Sequence, residues 1–277
     1  MKLVRYSDDG QERFGIAQEG KVADLTSVYQ GFSEMIHDLP GLDARKAGLA
    51  SFDLKASDLL PPVDRRSKIL CMAVNYGSHI KEMKTYQTKE PILFSKFYSS
   101  LARPYGQITL SGISEVVDYE GEIAVVIGKP ARNVKREDAW SHVAGYTLVN
   151  DVSARSLFQV PQGPYTMLDW FSCKAVEGWT PIGPWITTCD EAGDFGTLRI
   201  ETWLNGARVQ SESVSDLIFD VPRIVEHVSS RVTLNSGDLI STGTPAGVGI
   251  SRNRTLEKGD SVKVQSDRLG YLENLVG

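Results

Sequence analysis

The chain has 277 residues, 41% hydrophobic and 23% charged, which excludes disorder, collagen-like repeats and coiled coil and leaves room for one large domain carrying a small one. Lys and Arg total 30 against 35 Asp and Glu, a formal charge of −5, so no electrostatic footprint for nucleic acid or an anionic membrane is present. The sequence contains no apolar run near the ~18–20 residues of a membrane helix, and the opening MKLVRYSDDGQ turns polar too early for a signal peptide. Cys71, Cys173 and Cys189 lack CxxC spacing, and His37, His79, His142 and His227 are scattered. A disulfide framework and a zinc site are both disfavoured, and a reducing, cytoplasmic setting is expected.

Residues 1–62 read as a small α/β unit. Leu3–Tyr6, Phe14–Ala17 and Val22–Leu25 are expected strands, and a helical stretch through Met35, Ile36 and Leu39 stops at Pro40-Gly41. Pro61-Pro62 marks the junction, and 63–277 reads as the larger domain. Lys68–Val74 is a continuous apolar strand, followed by a turn at Asn75–Ser78 and a helix from His79 to Lys84. Ile92–Phe94, Gln107–Leu110, Val116–Ile127 and Val143–Val149 are further strands. Phe158–Gly183, rich in Gly, Pro and aromatics, reads as a long functional loop. Asn205-Gly206 between two strand-like runs predicts a hairpin, and Asp220 with Pro222 predicts a helix start. Strands resume at Asp238–Thr242 and Ser261–Gln265. The order is not an alternating βαβ, so the fold class is α+β, β-rich.

The segment Asp118-Tyr119-Glu120-Gly121-Glu122 leads into Ile-Ala-Val-Val-Ile. On one strand Asp118, Glu120 and Glu122 share a face. Two like charges ~4 Å apart repel by roughly 4 kcal/mol at an effective dielectric of ~20. A hard divalent cation removes that cost; alternatively, the strand is an edge whose glutamates meet water. Asp151, after the strand Val143–Val149, is the natural third ligand, or else the cap of a helical turn. His79 and Glu82 share a helical face and could form a proton-accepting dyad, or simply be a helix residue and a favourable first-turn charge.

Five motifs then occur in order: Asn75-Tyr76-x-x-His79-x-x-Glu82, Asp118–Glu122, Asn150-Asp151-Val152-Ser153-Ala154-Arg155, Pro181–Trp185, and Gly237-Asp238-Leu239-Ile240-x-Thr242-Gly243-Thr244-Pro245-x-Gly247-Val248-Gly249. Together they resemble the fumarylacetoacetate hydrolase superfamily from about Lys68 onward, and the small N-terminal unit is similar to that of its bacterial two-domain members. The resemblance implies that superfamily's fold, a mixed β-sandwich roll, usually as a homodimer. It implies Mg²⁺ or Mn²⁺ (Ca²⁺ also suits the oxygens) held by Glu120, Glu122 and Asp151. It also implies that His79 and Glu82 lie on a lid helix, and that Lys174 holds a substrate oxygen. Lys96, Arg155 and Thr244 match substrate-binding positions, with Arg155 alternatively bracing the ligands. Where relatives often carry Arg-Asp-x-Gln, this chain has Arg155-Ser156-Leu157-Phe158.

The expected activity is hydrolysis of a C–C bond in an acylpyruvate or diketo acid through an enolate held at the metal. Diketo-deoxy sugar acids and aromatic ring-cleavage products are examples of such substrates. Oxaloacetate-type decarboxylation and 2-hydroxy-dienoate isomerisation or hydration use the same enolate. The reading from another class is a metal-stabilised binding protein without turnover.

Overall fold

The computed structural model describes every residue except 47, 48 and 50. Its frame is a large sheet in the order Ser51–Asp53, Lys21–Asp24, Gln11–Gln18, Lys2–Asp8, Thr180–Thr188, Val143–Asn150, Gly121–Ile127, Leu239–Ser241, Ile69–Met72, Leu93–Lys96. Neighbours along this path are antiparallel except Leu239–Ser241 with Ile69–Met72, which run parallel. A second sheet runs Ala207–Ser213, Arg199–Leu204, Ser261–Ser266, Gly270–Val276, Gln107–Ile108. The fold is β-rich α+β, as the segment order predicts.

The strand Gly121–Ile127 is buried along its whole length because both of its faces are covered. Ile123, Val125 and Ile127 pack with Ile200, Val264 and Leu272 of the second sheet. Ala124 and Val126 point the other way, into a cluster with Phe32, Met35 and Ile36 of the helix Phe32–His37. That two-sided burial accounts for an unbroken apolar run where alternation would otherwise be expected. The N-terminal strands join the same sheet: Lys2 and Leu3 pair with Thr187 and Ile186.

Local signals behave as their chemistry dictates. Asn205 and Gly206 both take positive φ in the two-residue turn that joins Leu204 to Ala207. Asp220 accepts a hydrogen bond from the Arg223 N–H at 2.9 Å, capping the helix Val221–Ser229, whose Ile224, Val225 and Val228 are buried. Two expectations are corrected. Val116–Ile127 is two strands: Val117–Asp118 leaves the large sheet to pair with Ser153–Ala154, and the main strand begins only at Gly121. Phe158–Gly183 is not one irregular loop. Gln159–Gln162 and Tyr165–Leu168 form a hairpin about Gly163, followed by the helix Trp170–Lys174 and the strand Thr180–Thr188. The hairpin is mostly exposed, so burial imposes no alternation that a sequence reading could find. Among the described residues, no helix is long and apolar enough to cross a membrane.

Candidate active site

Gly121–Ile127 and Val143–Asn150 are adjacent antiparallel strands with Gly121 opposite Asn150. Glu120 and Asp151 therefore flank the same end of the ladder, and the Asp151 N–H donates to the Glu120 carbonyl at 2.8 Å. Glu120, Glu122 and Asp151 bring one oxygen each to within 4.8 Å of one another, all three side chains being buried. Asp118 does not join them, because the break in the strand ends the period-2 relation. It accepts from the Gly249 N–H at 2.6 Å and from Arg155 Nε at 3.0 Å.

The three cations expected here all reach the cluster. Lys174 Nζ donates to Glu120 at 2.6 Å and to Asp151 at 2.7 Å. Lys96 pairs with Asp151, and Arg155 bridges Asp118 and Glu120. Arg155 thus braces the carboxylates, and Asp151 is not a helix cap, since the short turn Arg155–Leu157 starts after Ala154. Burial raises the Glu120 carboxyl, but Arg155 and Lys174 outweigh it and hold it low. Among the described residues, no cation pairs directly with Glu122, and Lys174 acts on it only from its pairs with Glu120 and Asp151. It accepts from the Ser241 hydroxyl and from the Gly243 N–H at 3.2 Å. Burial, then the charges of Asp151 and Glu120, push its carboxyl up to about 8. Burial works against the Lys174 ammonium, yet Asp151 and Glu120 raise its pKa and keep it charged.

Three oxygen donors around a space where one carboxyl is otherwise driven to keep its proton fit a hard divalent cation. Among the described residues, no soft or nitrogen ligand joins the cluster.

His79 lies in the helix Gly77–Met83, and its Nδ1 is 3.4 Å from Glu82. Glu82 also accepts from the Gly247 N–H at 2.8 Å and the Ser251 hydroxyl at 2.6 Å. Burial raises its pKa, but these bonds, led by that to His79, bring it below the ordinary value, so it stays ionised. His79 is buried and close enough to the cluster that an imidazolium there would lower Glu120. Thr244 donates to the Gly121 carbonyl at 2.9 Å and accepts from Gln210 at 2.9 Å. Outward from Lys174, Phe94 stacks on Trp170 with centroids 4.9 Å apart, and Phe158 meets Trp170 edge-on at 4.6 Å. Phe158 therefore completes an aromatic wall.

The sequence reading missed Ser241, Gln210, Ser78 and Glu212. Ser241 occupies the unspecified position of the Gly-Asp-Leu-Ile-x-Thr motif. Gln210 and Glu212 lie in an ordinary strand outside every motif.

The chain matches the family model described as fumarylacetoacetate (FAA) hydrolase C-terminal over residues 68–277. It is 41% identical over 219 residues to the Homo sapiens mitochondrial oxaloacetate tautomerase FAHD2A, covering 78% of this chain and 68% of that protein. Among solved structures, a fumarylacetoacetate hydrolase from Exiguobacterium antarcticum aligns with a TM-score of 0.84 at 34% identity, covering 100% of this chain and 99% of that one. The maleylpyruvate hydrolase from Sphingobium sp. SYK-6, solved with manganese(II) and pyruvate, aligns with a TM-score of 0.80 at 30% identity, covering 100% and 98%. The carboxylate cluster, the fold around it and these likenesses agree: the chain belongs to the fumarylacetoacetate hydrolase family of enzymes.

Proposed function

We propose that this enzyme is a divalent-metal-dependent hydrolase that cleaves a C–C bond in an acylpyruvate or diketo acid. The observation that carries the proposal is the His79–Glu82 pair set against a buried cluster of three carboxylates. Glu120, Glu122 and Asp151 would hold Mg²⁺ or Mn²⁺. When bound, such an ion supplies Lewis acidity to adjacent oxygens of a 2-oxo acid.

The chain's own groups do the rest. With Nδ1 facing Glu82, His79 has Nε2 available to take a proton from the attacking water. The ionised Glu82 stabilises the imidazolium that results. Water oxygen bonds to the distal carbonyl carbon, the C–C bond breaks, and its electron pair remains on the pyruvate-like fragment as an enolate. The Lys174 ammonium is the donor for that oxygen, and the proton held on His79 returns to the enolate carbon.

A second reading, keto–enol tautomerisation of oxaloacetate, is favoured by the likeness to the human tautomerase and needs only the proton transfers. One panel separates the readings. Mn²⁺- or Mg²⁺-loaded enzyme is given acetylpyruvate, maleylpyruvate and oxaloacetate, and enol absorbance, released pyruvate and CO₂ are followed. Pyruvate with a matching carboxylic acid supports hydrolysis. Enol decay alone supports tautomerisation, CO₂ release means decarboxylation, and no change in any channel leaves a binding protein.

A homodimer is part of the proposal. Phe97 and Phe171 sit 5.9 Å apart yet are 50% and 68% exposed, and Tyr165, Met167 and Leu168 of the hairpin add exposed apolar surface. Exposed apolar surface of that kind fits a second copy.

A further inference from the structure

Gly121 lies between two of the proposed ligands, and side chains from elsewhere hold both of its backbone groups. Its N–H, part of the peptide joining it to Glu120, donates to Gln210 Oε1 at 3.1 Å. Its carbonyl, part of the peptide joining it to Glu122, accepts from Thr244 Oγ1 at 2.9 Å. The Gln210 amide nitrogen then donates to Thr244 Oγ1 at 2.9 Å and to the Pro245 carbonyl at 2.8 Å. Only glycine fits here, because a Cβ would lie 2.0 Å from Thr202 Oγ1. Glycine also has the freest backbone of any residue. The hydrogen-bonded clamp replaces the missing steric restraint, fixing one peptide plane for each glutamate.

Gln210 belongs to the strand Ala207–Ser213 of the second sheet, and that strand also meets the parts carrying the acid–base pair. Gly247, which donates to Glu82, packs so closely that a Cβ would lie 2.0 Å from the Val209 carbonyl. Glu212, two residues along the strand, accepts from the Ser78 hydroxyl at 2.5 Å, next to His79. Ser78 in turn accepts from the Ala246 N–H at 3.3 Å. One strand therefore touches the ligand backbone, the loop 243–249 and the helix of the dyad.

We propose that Gln210 is a positioning residue that couples docking of the helix Gly77–Met83 to the alignment of Glu120 and Glu122. The inference rests on reading the carboxylate cluster as a metal centre. Its test uses Mn²⁺ alone, titrated by the electron paramagnetic resonance signal of the free ion, with amide exchange of residues 77–83 measured before and after loading. Wild type is expected to bind Mn²⁺ and gain protection in the helix. Gln210→Met is expected to bind about tenfold more weakly and to lose that gain, the scale at which supporting hydrogen bonds act on metal ligands. Ser78→Ala removes the helix contact but leaves Gly121 clamped, so its Mn²⁺ affinity should fall less than that of Gln210→Met, and a fall as large as in Gln210→Met overturns the role of the clamp. Unchanged affinity in Gln210→Met overturns the proposal. If that variant does not fold, Thr244→Val removes the bond to the Gly121 carbonyl and the one from Gln210, and unchanged affinity there has the same force. A wild-type chain that takes up no Mn²⁺ overturns the metal-centre reading, and this proposal with it.

Discussion

At the scale of single residues, the carboxylates differ in what else depends on them. Asp151 is the partner of two buried ammonium groups, Lys96 and Lys174. Asp151→Asn is therefore expected to lose metal affinity and activity and also to destabilise the fold, since breaking a buried pair costs about 3–5 kcal/mol. Charge repulsion alone gives the opposite expectation for stability. Among the described residues no cation pairs directly with Glu122, and Glu122→Gln should lose metal affinity while leaving the metal-free fold as stable or more so. The pH dependence follows from its raised carboxyl. Folded Glu122 keeps a proton from its ordinary value of 4.5 up to about 8. The unfolded chain has lost that proton over the same window, so metal-free stability falls as pH rises through it. Glu122→Gln should flatten that slope in thermal melts. His79 is outside the carboxylate cluster. His79→Ala should lower kcat by ~10²-fold or more with Mn²⁺ affinity retained, and Glu82→Gln should lower it less. A rate unchanged by His79→Ala would remove the base from the mechanism.

Among the elements, the loop 243–249 is tightly specified, with Gly243 and Gly247 both at positive φ. Gly247 has φ +106 and no room for a Cβ, so Gly247→Ala should displace the Glu82 contact and lower both kcat and the melting temperature. Activity assays beside melts will show whether the two losses occur together. The elements also show what could be read in advance. Hairpin 204–207 and helix Val221–Ser229 were legible because their turn and cap chemistry is local. Glu120, Glu122 and Asp151 were legible as a group because their motifs match the family's ligand positions; the cost of their charge beside apolar strands pointed the same way but also allowed a solvated edge and a helix cap. The break after Asp118 was not legible, since it depends on pairing with Ser153–Ala154, far along the chain. Gln210 and Glu212 were equally hidden. A strand residue pointing at a site from a second sheet has the same local pattern as one pointing at water.

For the whole molecule, the exposed apolar side chains Phe97, Phe171 and Met167 are where a two-fold contact is expected. Light scattering at low micromolar concentration should give about twice the 30.5 kDa chain mass, and Phe171→Glu with Met167→Glu should return it to the monomer. A wild-type protein that scatters as a monomer removes the dimer.

The pairing of Lys2–Asp8 with Thr180–Thr188 has a practical consequence for anyone dissecting the enzyme. Beside Thr180–Thr188, Lys2 and Leu3 cover Thr187 and Ile186 while Leu101–Ala102 covers Thr180 and Pro181, and its neighbour Val143–Asn150 leads directly to Asp151. A fragment cut at residue 63 would leave the backbone at Ile186 and Thr187 without its strand partner Lys2–Asp8, opening a short stretch of sheet edge. It would also strip the cover of Phe32, Met35 and Ile36 from Ala124 and Val126, in the strand that begins beside Glu120. The N-terminal segment thus covers one face of the sheet that carries the carboxylates, and expression of the family-matched region alone is a poor route to a working enzyme.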